Sequence, residues 1–220
     1  MPEEQPRFAD RRDAGRRLAE RLLPLAAESP IVVALPRGGV PVAQEVAAAL
    51  GAPLEILAVR KLGAPHNPEY GIGAVAEDGT RVIDPEAVAV LGIHGETLDA
   101  IADRESAELR RRVALYRGDR KPLDLGGRTT ILVDDGVATG VTDTAALRAA
   151  RRRGPRRLLL AVPICAPDAL GRLREEADEV ICLRTPPILY GISQWYRDFS
   201  QVSDEEVLSA LETTRSDAAA

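Results

Sequence analysis

Two adjacent carboxylates and a short loop bounded by glycines stand together in residues 129–142, TTILVDDGVATGVT. Asp134 and Asp135 follow the apolar run at 131–133, which predicts a buried strand that ends at the two acids. Residues 136–140 form the loop, and the sequence after it favours the start of a helix. The pattern therefore places two acids and several free backbone N–H groups at one strand-to-helix turn.

The chemistry that this turn suits is the binding of a phosphorylated sugar. Backbone N–H groups of the loop and the positive end of the helix dipole would hold a phosphate. The hydroxyls of Thr139 and Thr142 would add two donors. The carboxylates of Asp134 and Asp135 would accept hydrogen bonds from sugar hydroxyls or hold Mg²⁺ through water. An ordinary strand-to-helix turn with a capping acid is the alternative.

Arg37, Gly38 and Gly39 form a second candidate turn, directly after the apolar run at 31–35. The turn offers a cation and backbone donors at the end of another predicted strand. A Gly-Gly turn on its own is most often only a turn, and its interpretation as an anion site depends on the acid pair at 134–135.

Arg60 and Lys61 form a basic pair at the end of a third predicted strand, 54–59. The residues at 62–76 that follow have the composition of a mobile lid, rich in Gly, Pro and Asn at the start. His66 in this segment is a candidate acid or base, and a plain surface histidine is the alternative. A solvated basic pair ahead of a hairpin is the alternative for Arg60 and Lys61.

The elements that must position these groups alternate between strands and helices. Strands are predicted over 31–35, 54–59, 131–133, 158–163 and 179–183, and helices over 9–27, 42–50, 85–91, 97–116 and 167–176, with a hairpin at 70–76 and 80–83. This order predicts an α/β fold with a mostly parallel central sheet and helices on both faces. Such sheets bind ligands at the carboxyl ends of their strands, where the candidate groups lie.

Composition excludes several classes of protein. The net charge of −5 does not favour nucleic-acid binding, and the basic run at 151–157 is better explained as a helix end than as an RNA contact. No apolar stretch reaches membrane-spanning length, and the N-terminus lacks the apolar segment of a signal peptide. Cys165 and Cys182 are expected to be reduced thiols, so the predicted location is cytoplasmic. The stretch 71–76 matches GxGxxA, but no helix is predicted after it, which excludes a dinucleotide fingerprint.

The strand, acid pair, loop and helix at 129–142 resemble the diphosphate-sugar signature of the type I phosphoribosyltransferases. Gly136 departs from that signature, since it stands where an aliphatic residue is usual. The turn at 37–39 resembles the pyrophosphate loop of the family, and Arg60 with Lys61 resembles the start of its flexible loop. The resemblance covers roughly residues 31–200 and is nearest to a poorly characterised bacterial branch of predicted phosphoribosyltransferases.

The resemblance implies a fold and a domain arrangement. It predicts one phosphoribosyltransferase-like domain over residues 7–212, with a hairpin or flexible loop and a small hood. The hood is expected to come from residues 186–210 and the N-terminal helix, and 213–220 are expected to be a disordered tail. Trp195 or Tyr196 of the hood would stack on a heterocyclic acceptor, and a C-terminal aromatic cluster is the alternative for both. The resemblance also allows for a homodimer.

The resemblance also implies a reaction. Ribose 5-phosphate would pass from phosphoribosyl diphosphate to a nitrogen base or amine, with Mg²⁺ as cofactor and pyrophosphate as product. The expected catalytic residues are Asp134, Asp135, Arg37 and Lys61, and the expected substrate-binding residues are Gly38, Gly39, Arg60, Gly136, Val137, Ala138, Thr139, Gly140, Thr142, Trp195 and Tyr196. The two acids would bind the ribose hydroxyls and contact the metal through water.

Ala138 narrows the expected acceptor. Hypoxanthine–guanine enzymes of the resembled family carry an aspartate at this position, and adenine enzymes do not. Ala138 therefore weakens the prediction of a 6-oxopurine acceptor without establishing adenine. A regulatory protein that binds phosphoribosyl diphosphate or a nucleotide without turnover is the alternative function.

Overall fold

The computed structural model describes residues 7–118 and 120–218, with side chains described outside 68–69 and 213–218. Its strands are β1 (Ile31–Ala34), β2 (Leu54–Ile56), β3 (Val59–Ala64), β4 (Asn67–Ala76), β5 (Arg81–Ile83), β6 (Thr129–Val133), β7 (Arg157–Ile164) and β8 (Glu179–Arg184). Its α-helices are α1 (Arg11–Leu22), α2 (Gly39–Leu50), α3 (Pro85–Val90), α4 (Gly95–Arg117), α5 (Val141–Arg152), α6 (Pro167–Glu176) and α7 (Asp204–Ala218). Short 3₁₀ helices cover Leu23–Glu28 and Ile192–Trp195.

Five parallel strands form the central sheet, in the order β2-β1-β6-β7-β8. Successive residues of one strand point to opposite faces, and both faces are covered. In β1, Val32 and Ala34 belong to a core shared with α1, α2 and α7. Ile31 and Val33 belong to a core shared with α5 and α6. This arrangement confirms the predicted α/β fold with helices on both sides of a parallel sheet.

A second, antiparallel sheet in the order β3-β4-β5 packs with α3 and α4 around its own apolar cluster. The predicted hairpin is present, with Gly73 paired to Ile83 across the turn that joins β4 and β5. The predicted single strand over 54–59 is wrong, because the chain leaves the central sheet after Ile56 and begins β3 at Val59. The segment 62–76, whose composition suggested a mobile lid, is largely strand, and Leu62 is fully buried in a cluster that includes residues of α4.

The N- and C-terminal segments meet beside the central sheet. Phe8 pairs with Tyr196 in a parallel bridge, and their rings lie 5.4 Å apart. Helix α7 packs against α2 and continues to Ala218, through residues 213–218 that were predicted as a tail; residues 219–220 lie outside the described residues. No Gly or Pro interrupts α7, so its hydrogen-bonded backbone can continue.

Two further features concern the chain as a whole. Cys165 and Cys182 are both free. Within the described residues, none of the helices combines the length and the apolar character that crossing a bilayer requires.

Candidate active site

The acid pair lies at the carboxyl end of β6, beside the end of β1. The N–H of Leu35 donates to the carbonyl of Val133 at 2.9 Å, which holds the two strand ends together. Just beyond, the N–H of Asp135 donates to Asp134 Oδ1 at 2.8 Å and fixes the turn between the acids. Parallel pairing of β1 and β6 therefore brings the residues that follow both strands to one edge of the sheet.

The glycine turn after β1 packs directly against the acid pair. A Cβ atom on Gly38 would lie 2.1 Å from Asp135 Oδ2, and one on Gly39 would lie 2.6 Å from the carbonyl oxygen of Val133. Real Cβ atoms do not approach other atoms this closely, so both positions require glycine. The structure thus brings together the two turns that the sequence analysis paired, and the peptide bond between Pro36 and Arg37 is cis.

A cavity of about 520 Å³ opens over this edge, between the loop after β6 and the antiparallel sheet. The predicted site residues in its wall are Lys61, Asp134, Gly136, Ala138, Thr139, Gly140 and Thr142. Residues that the sequence analysis did not single out as site residues are Tyr70, Gly71, Gly73, Asp84, Val141, Asp143 and Ile192. Within the described part of the chain, the wall does not include Arg37, Gly38, Gly39, Arg60, Asp135, Val137, Trp195 or Tyr196.

The loop after the acids has the geometry of an anion cradle. Gly140, with φ 75°, occupies the left-handed region and stands at the start of α5. The carbonyl of Gly140 accepts from the N–H of Thr144 at 2.8 Å, so the N–H groups before Thr144 belong to the open first turn of the helix. Gly136 departs from the family signature for a steric reason, because a Cβ there would lie 2.7 Å from Ile164 and Ile192.

Val137 is in the core and not in the site, which corrects its predicted role. Its side chain is 1% exposed, and its N–H donates to the carbonyl of Ile164 at 2.9 Å. Its carbonyl accepts from the N–H of Ala166 at 2.9 Å. Since both backbone groups are engaged by the end of β7 and the residues after it, Val137 anchors the loop.

Arg60 and Lys61 point to opposite sides of β3, as successive residues of a strand do. Lys61 lines the cavity and lies over Gly71, where a Cβ would be 2.8 Å from Lys61 Cε. Arg60 instead donates to Glu105 Oε2 of α4, at 2.6 and 3.0 Å. The predicted substrate role of Arg60 is therefore wrong in this conformation, and Arg60 links the antiparallel sheet to α4.

Arg37 lies outside the cavity. Its Nη1 is 3.7 Å from Asp204 Oδ1 at the start of α7, and its side chain is partly exposed. Asp204 also accepts a hydrogen bond from the hydroxyl of Tyr116. The side chain of Arg37 is thus directed toward α7, while the backbone turn that it begins lies against the acids.

Tyr196 is buried and cannot stack on an acceptor. It is 3% exposed, and its ring lies between Phe8 and Phe199, with Phe199 at 5.0 Å. Its hydroxyl donates to the carbonyl oxygen of Asp135 at 2.6 Å, which ties the C-terminal segment to the acid pair. Trp195 packs at the edge of the same cluster, near the guanidinium of Arg184. The aromatic-cluster alternative is therefore the correct one for Tyr196, whereas the stacking role of the partly exposed Trp195 stays a prediction.

Arg11 is a site neighbour that the sequence did not reveal. Its Nε donates to Asp135 Oδ2 at 2.7 Å, and its Nη1 donates to the carbonyl of Ser200 at 2.7 Å. Its guanidinium also lies 3.7 Å from the centroid of the Phe199 ring, a cation–π contact. Arg11 is one of several arginines in an ordinary helix start, so only the packing of α1 near the C-terminal segment identifies it.

Asp143 is a third acid at the site, in the first turn of α5. It is 3% exposed, and its Oδ1 has no hydrogen-bond partner among the described residues. Burial raises the pKa of Asp143 to about 7. Burial, and then the charges of Asp135 and Asp143, also raise the pKa of Asp134 well above its ordinary value. Burial and mutual repulsion therefore favour the neutral forms of Asp134 and Asp143, and a cation bound beside them would favour their charged forms.

Replacing Asp143 by Asn is expected to remove a pH dependence of stability. The folded protein keeps the Asp143 proton up to about pH 7, whereas the unfolded chain loses it near about pH 4. The contribution of Asp143 to the free energy of unfolding is therefore fully present below about pH 4, and it is lost as the pH rises to about 7. We expect Asp143→Asn to raise the free energy of unfolding at pH 8 by about 1–3 kcal/mol, and to change it less at pH 4. Urea unfolding of both proteins at the two pH values checks this, and an equal change at both would contradict it.

Comparisons with known proteins show the family of this chain. The sequence profile of the phosphoribosyl transferase domain matches residues 8–196. The chain belongs to the phosphoribosyl transferase family. A provisionally named phosphoribosyl transferase of Mycobacterium tuberculosis, Rv0571c, is 46% identical over 210 residues, which are 96% of this chain and 47% of that protein. This phosphoribosyl transferase chain thus spans about half the length of these curated relatives.

Two solved structures resemble this chain. The crystal structure of TT1426 from Thermus thermophilus is 46% identical, with a TM-score of 0.77 over 93% of this chain and 97% of that one. A hypothetical protein from Neisseria gonorrhoeae, solved with bound ppGpp, has a TM-score of 0.52 at 13% identity and covers 94% of each chain. That second likeness concerns the fold alone.

Proposed function

We propose that this phosphoribosyl transferase moves ribose 5-phosphate from phosphoribosyl diphosphate to a nitrogen base or amine and releases pyrophosphate. The observation that carries the proposal is the single cavity in which Asp134, the loop with Thr139 and Thr142, and Lys61 meet. A site for phosphoribosyl diphosphate requires three parts: donors for the 5-phosphate, an acceptor for the sugar hydroxyls and a cation for the pyrophosphate.

Each part of the donor substrate has a counterpart in the site. The open first turn of α5, with Thr139 and Thr142, would bind the 5-phosphate. Asp134 would accept hydrogen bonds from the ribose hydroxyls. Lys61 and the backbone of the turn at Gly38 would face the pyrophosphate, and Asp135 would hold that turn through its packing against Gly38. In this proposal Arg37, Gly38 and Asp135 act from outside the cavity wall.

The residues of the site fit a Mg²⁺ ion held partly by substrate oxygens. Asp84, Asp134 and Asp143 all line the cavity, and carboxylate oxygen is the ligand that Mg²⁺ prefers. The described side chains include no group of three acids, histidines or cysteines close enough to hold a metal by themselves. When bound with the substrate, Mg²⁺ would neutralise charge on the pyrophosphate, and Asp134 would contact it through water.

The side chains would stabilise charge as the glycosidic carbon separates from pyrophosphate. Lys61 would balance the negative charge that builds up on the departing pyrophosphate. The carboxylate of Asp134, near the ribose, would favour the positive charge of an oxocarbenium-like ring. Tyr70, 47% exposed and in the cavity wall, is the aromatic residue placed to contact the acceptor instead of Tyr196. Ala138 in the same wall offers the acceptor no acid or base.

A regulatory protein without turnover is the second candidate. Two of the predicted catalytic groups are engaged within the protein, since Arg11 pairs with Asp135 at 2.7 Å and Arg37 lies 3.7 Å from Asp204. A protein that only binds its ligand would not need Asp135 and Arg37 to break these contacts.

Pyrophosphate release distinguishes the two candidates. The protein is incubated with Mg²⁺, phosphoribosyl diphosphate and a panel of purine and pyrimidine bases and amines. The proposal predicts release that depends on one acceptor class and is lost when Asp134→Asn and Asp135→Asn are combined. Binding of phosphoribosyl diphosphate without release on any member of a broad panel would favour the regulatory candidate.

Lys61 and Arg60 give a matched pair of variants on one strand. Lys61→Ala is expected to raise the KM for phosphoribosyl diphosphate by about tenfold or more, because a charge-assisted contact to pyrophosphate is lost. Arg60→Ala is expected to leave that KM within about twofold and to lower the free energy of unfolding by about 1 kcal/mol, through loss of the partly buried pair with Glu105. Steady-state kinetics and urea unfolding of both variants check the contrast. Equal effects on KM would contradict the assignment.

A further inference from the structure

We propose that a second cavity, at the opposite end of α5 from the loop at 136–140, binds a nucleotide-like ligand with an apolar ring and at least two negative charges. The cavity has a volume of about 550 Å³ and lies between the turn after β4, the C-terminal half of α4 and the end of α5. Its wall includes Arg110, Arg120 and Arg153, together with the buried Arg117. This volume suits a small organic ligand.

The charge of the wall favours an anion. In the described part of the chain, Arg110, Arg120 and Arg153 form no ion pair with an acid, and the polar contacts of Arg120 and Arg153 are to backbone carbonyls. The acids in the wall are already engaged, because Glu77 pairs with Arg117 at 3.0 Å and Asp78 holds Thr80. Among the described residues, these three guanidiniums have no acidic partner, and they give the cavity a local excess of positive charge in a chain of net charge −5. Guanidiniums bind phosphate groups through paired hydrogen bonds.

Two buried donors in this wall have no partner. Arg117 is 8% exposed, and its Nε makes no hydrogen bond among the described residues. Nη1 of Arg153 is likewise buried and unpaired. An unpaired buried N–H is costly, so each is a group that a small shift toward a bound anion would satisfy.

The apolar part of the wall forms the floor of the cavity, and it would contact the ring of the ligand. It consists of Leu57 and Leu109, at 1% and 2% exposure, with Val113 and Ala149 beside them. An aliphatic floor next to a cationic rim matches a ligand that is apolar at one end and phosphorylated at the other. A simple inorganic anion would leave this floor unused.

The second cavity is separate from the proposed active site but shares a strand with it. The two walls have no residue in common within the described part of the chain. Strand β4 carries Gly73, which lines the proposed active site, and Ala76, which lines the second cavity. Glu77 connects Arg117 to the start of β3, because its Oε2 accepts from the N–H of Ala58 at 3.0 Å. A ligand that moved Arg117 would act on the strand that carries Lys61.

Calorimetric titration without Mg²⁺ tests the site independently of turnover. Adenosine, AMP, ATP and tripolyphosphate are the probes, since they separate the ring from the charge. We expect affinity to rise with the number of phosphates, with ATP at least about tenfold tighter than adenosine and than tripolyphosphate. In Arg110→Ala/Arg120→Ala, ATP affinity should fall at least about tenfold, since two exposed cations are removed without disturbing the core. Arg111→Ala, an exposed arginine of the same helix outside the cavity wall, should bind ATP as the natural protein does.

The Thr139→Ala/Thr142→Ala variant separates this site from the active site. It should bind ATP under the same conditions with unchanged affinity. Unchanged ATP affinity in Arg110→Ala/Arg120→Ala, or loss of ATP binding in the threonine variant, would overturn the proposal. If tripolyphosphate bound as tightly as ATP, the proposed contact between the ring and the apolar floor would be overturned. Failure of the acceptor panel to release pyrophosphate would leave these results unaffected.

Discussion

Asp134→Asn is expected to lower the rate of pyrophosphate release by about 10²–10³-fold, and Asp135→Asn is expected to lower it less. Asp134 lies in the cavity wall, where its charge would face the ribose. Asp135 lies between the turn at Gly38 and the guanidinium of Arg11, so its loss acts through the position of that turn. Asparagine keeps the shape of both side chains, which makes the contrast a test of charge.

The order of the two effects is the informative result. Asp168→Asn is a suitable control, since Asp168 is an exposed acid in the first turn of α6 and lies outside the cavity. The control should keep full activity, and circular dichroism should show all three variants folded. A larger loss in Asp135→Asn than in Asp134→Asn would mean that the acid outside the cavity wall contacts the substrate, contrary to the geometry.

Gly39→Ala is expected to lower the free energy of unfolding by about 1–3 kcal/mol and the rate of pyrophosphate release by about 100-fold. The added methyl would lie 2.6 Å from the carbonyl of Val133 and 3.0 Å from the Cα of Asp134. Both atoms belong to the backbone, so the turn must move away from the end of β6. A displacement of this kind separates the turn at Gly38 from the acids even where the protein still folds.

Gly171→Ala is the matched control for this substitution. Gly171 lies within α6, and a Cβ there would meet no atom within 4 Å. The variant should therefore be more stable by about 0.5–1 kcal/mol, because alanine favours the helix. Thermal or urea unfolding measures both variants. A Gly39→Ala protein as stable and active as the natural one would show that the two turns are not packed as described.

The site could be predicted where local chemistry and topology point the same way. The acid pair, the glycine-bounded loop and the start of α5 are contiguous in sequence, so their arrangement follows from one strand-to-helix turn. Parallel pairing of β1 and β6 then brings the turn at Gly38 to the acids, as the rule for strand ends predicts. The fold class followed from the alternation of strands and helices in the same way.

The errors concern side chains whose partners are distant in sequence. Arg60 and Lys61 look equivalent as neighbours, and only the β3 pairing shows that one faces α4 and the other faces the cavity. Tyr196 has the aromatic side chain that stacking requires, yet Phe8 and Phe199 enclose it. Arg11 carries no local signal, since its contact with Asp135 spans the length of the fold.

A crystal structure with Mg²⁺ and phosphoribosyl diphosphate tests the central claim most directly. The account predicts the 5-phosphate on the backbone N–H groups before Thr144, the ribose hydroxyls at Asp134, and the pyrophosphate between Lys61 and the turn at Gly38. Phosphoribosyl diphosphate bound away from the carboxyl end of β6, or bound there with its 5-phosphate outside the loop at 136–142, would contradict it.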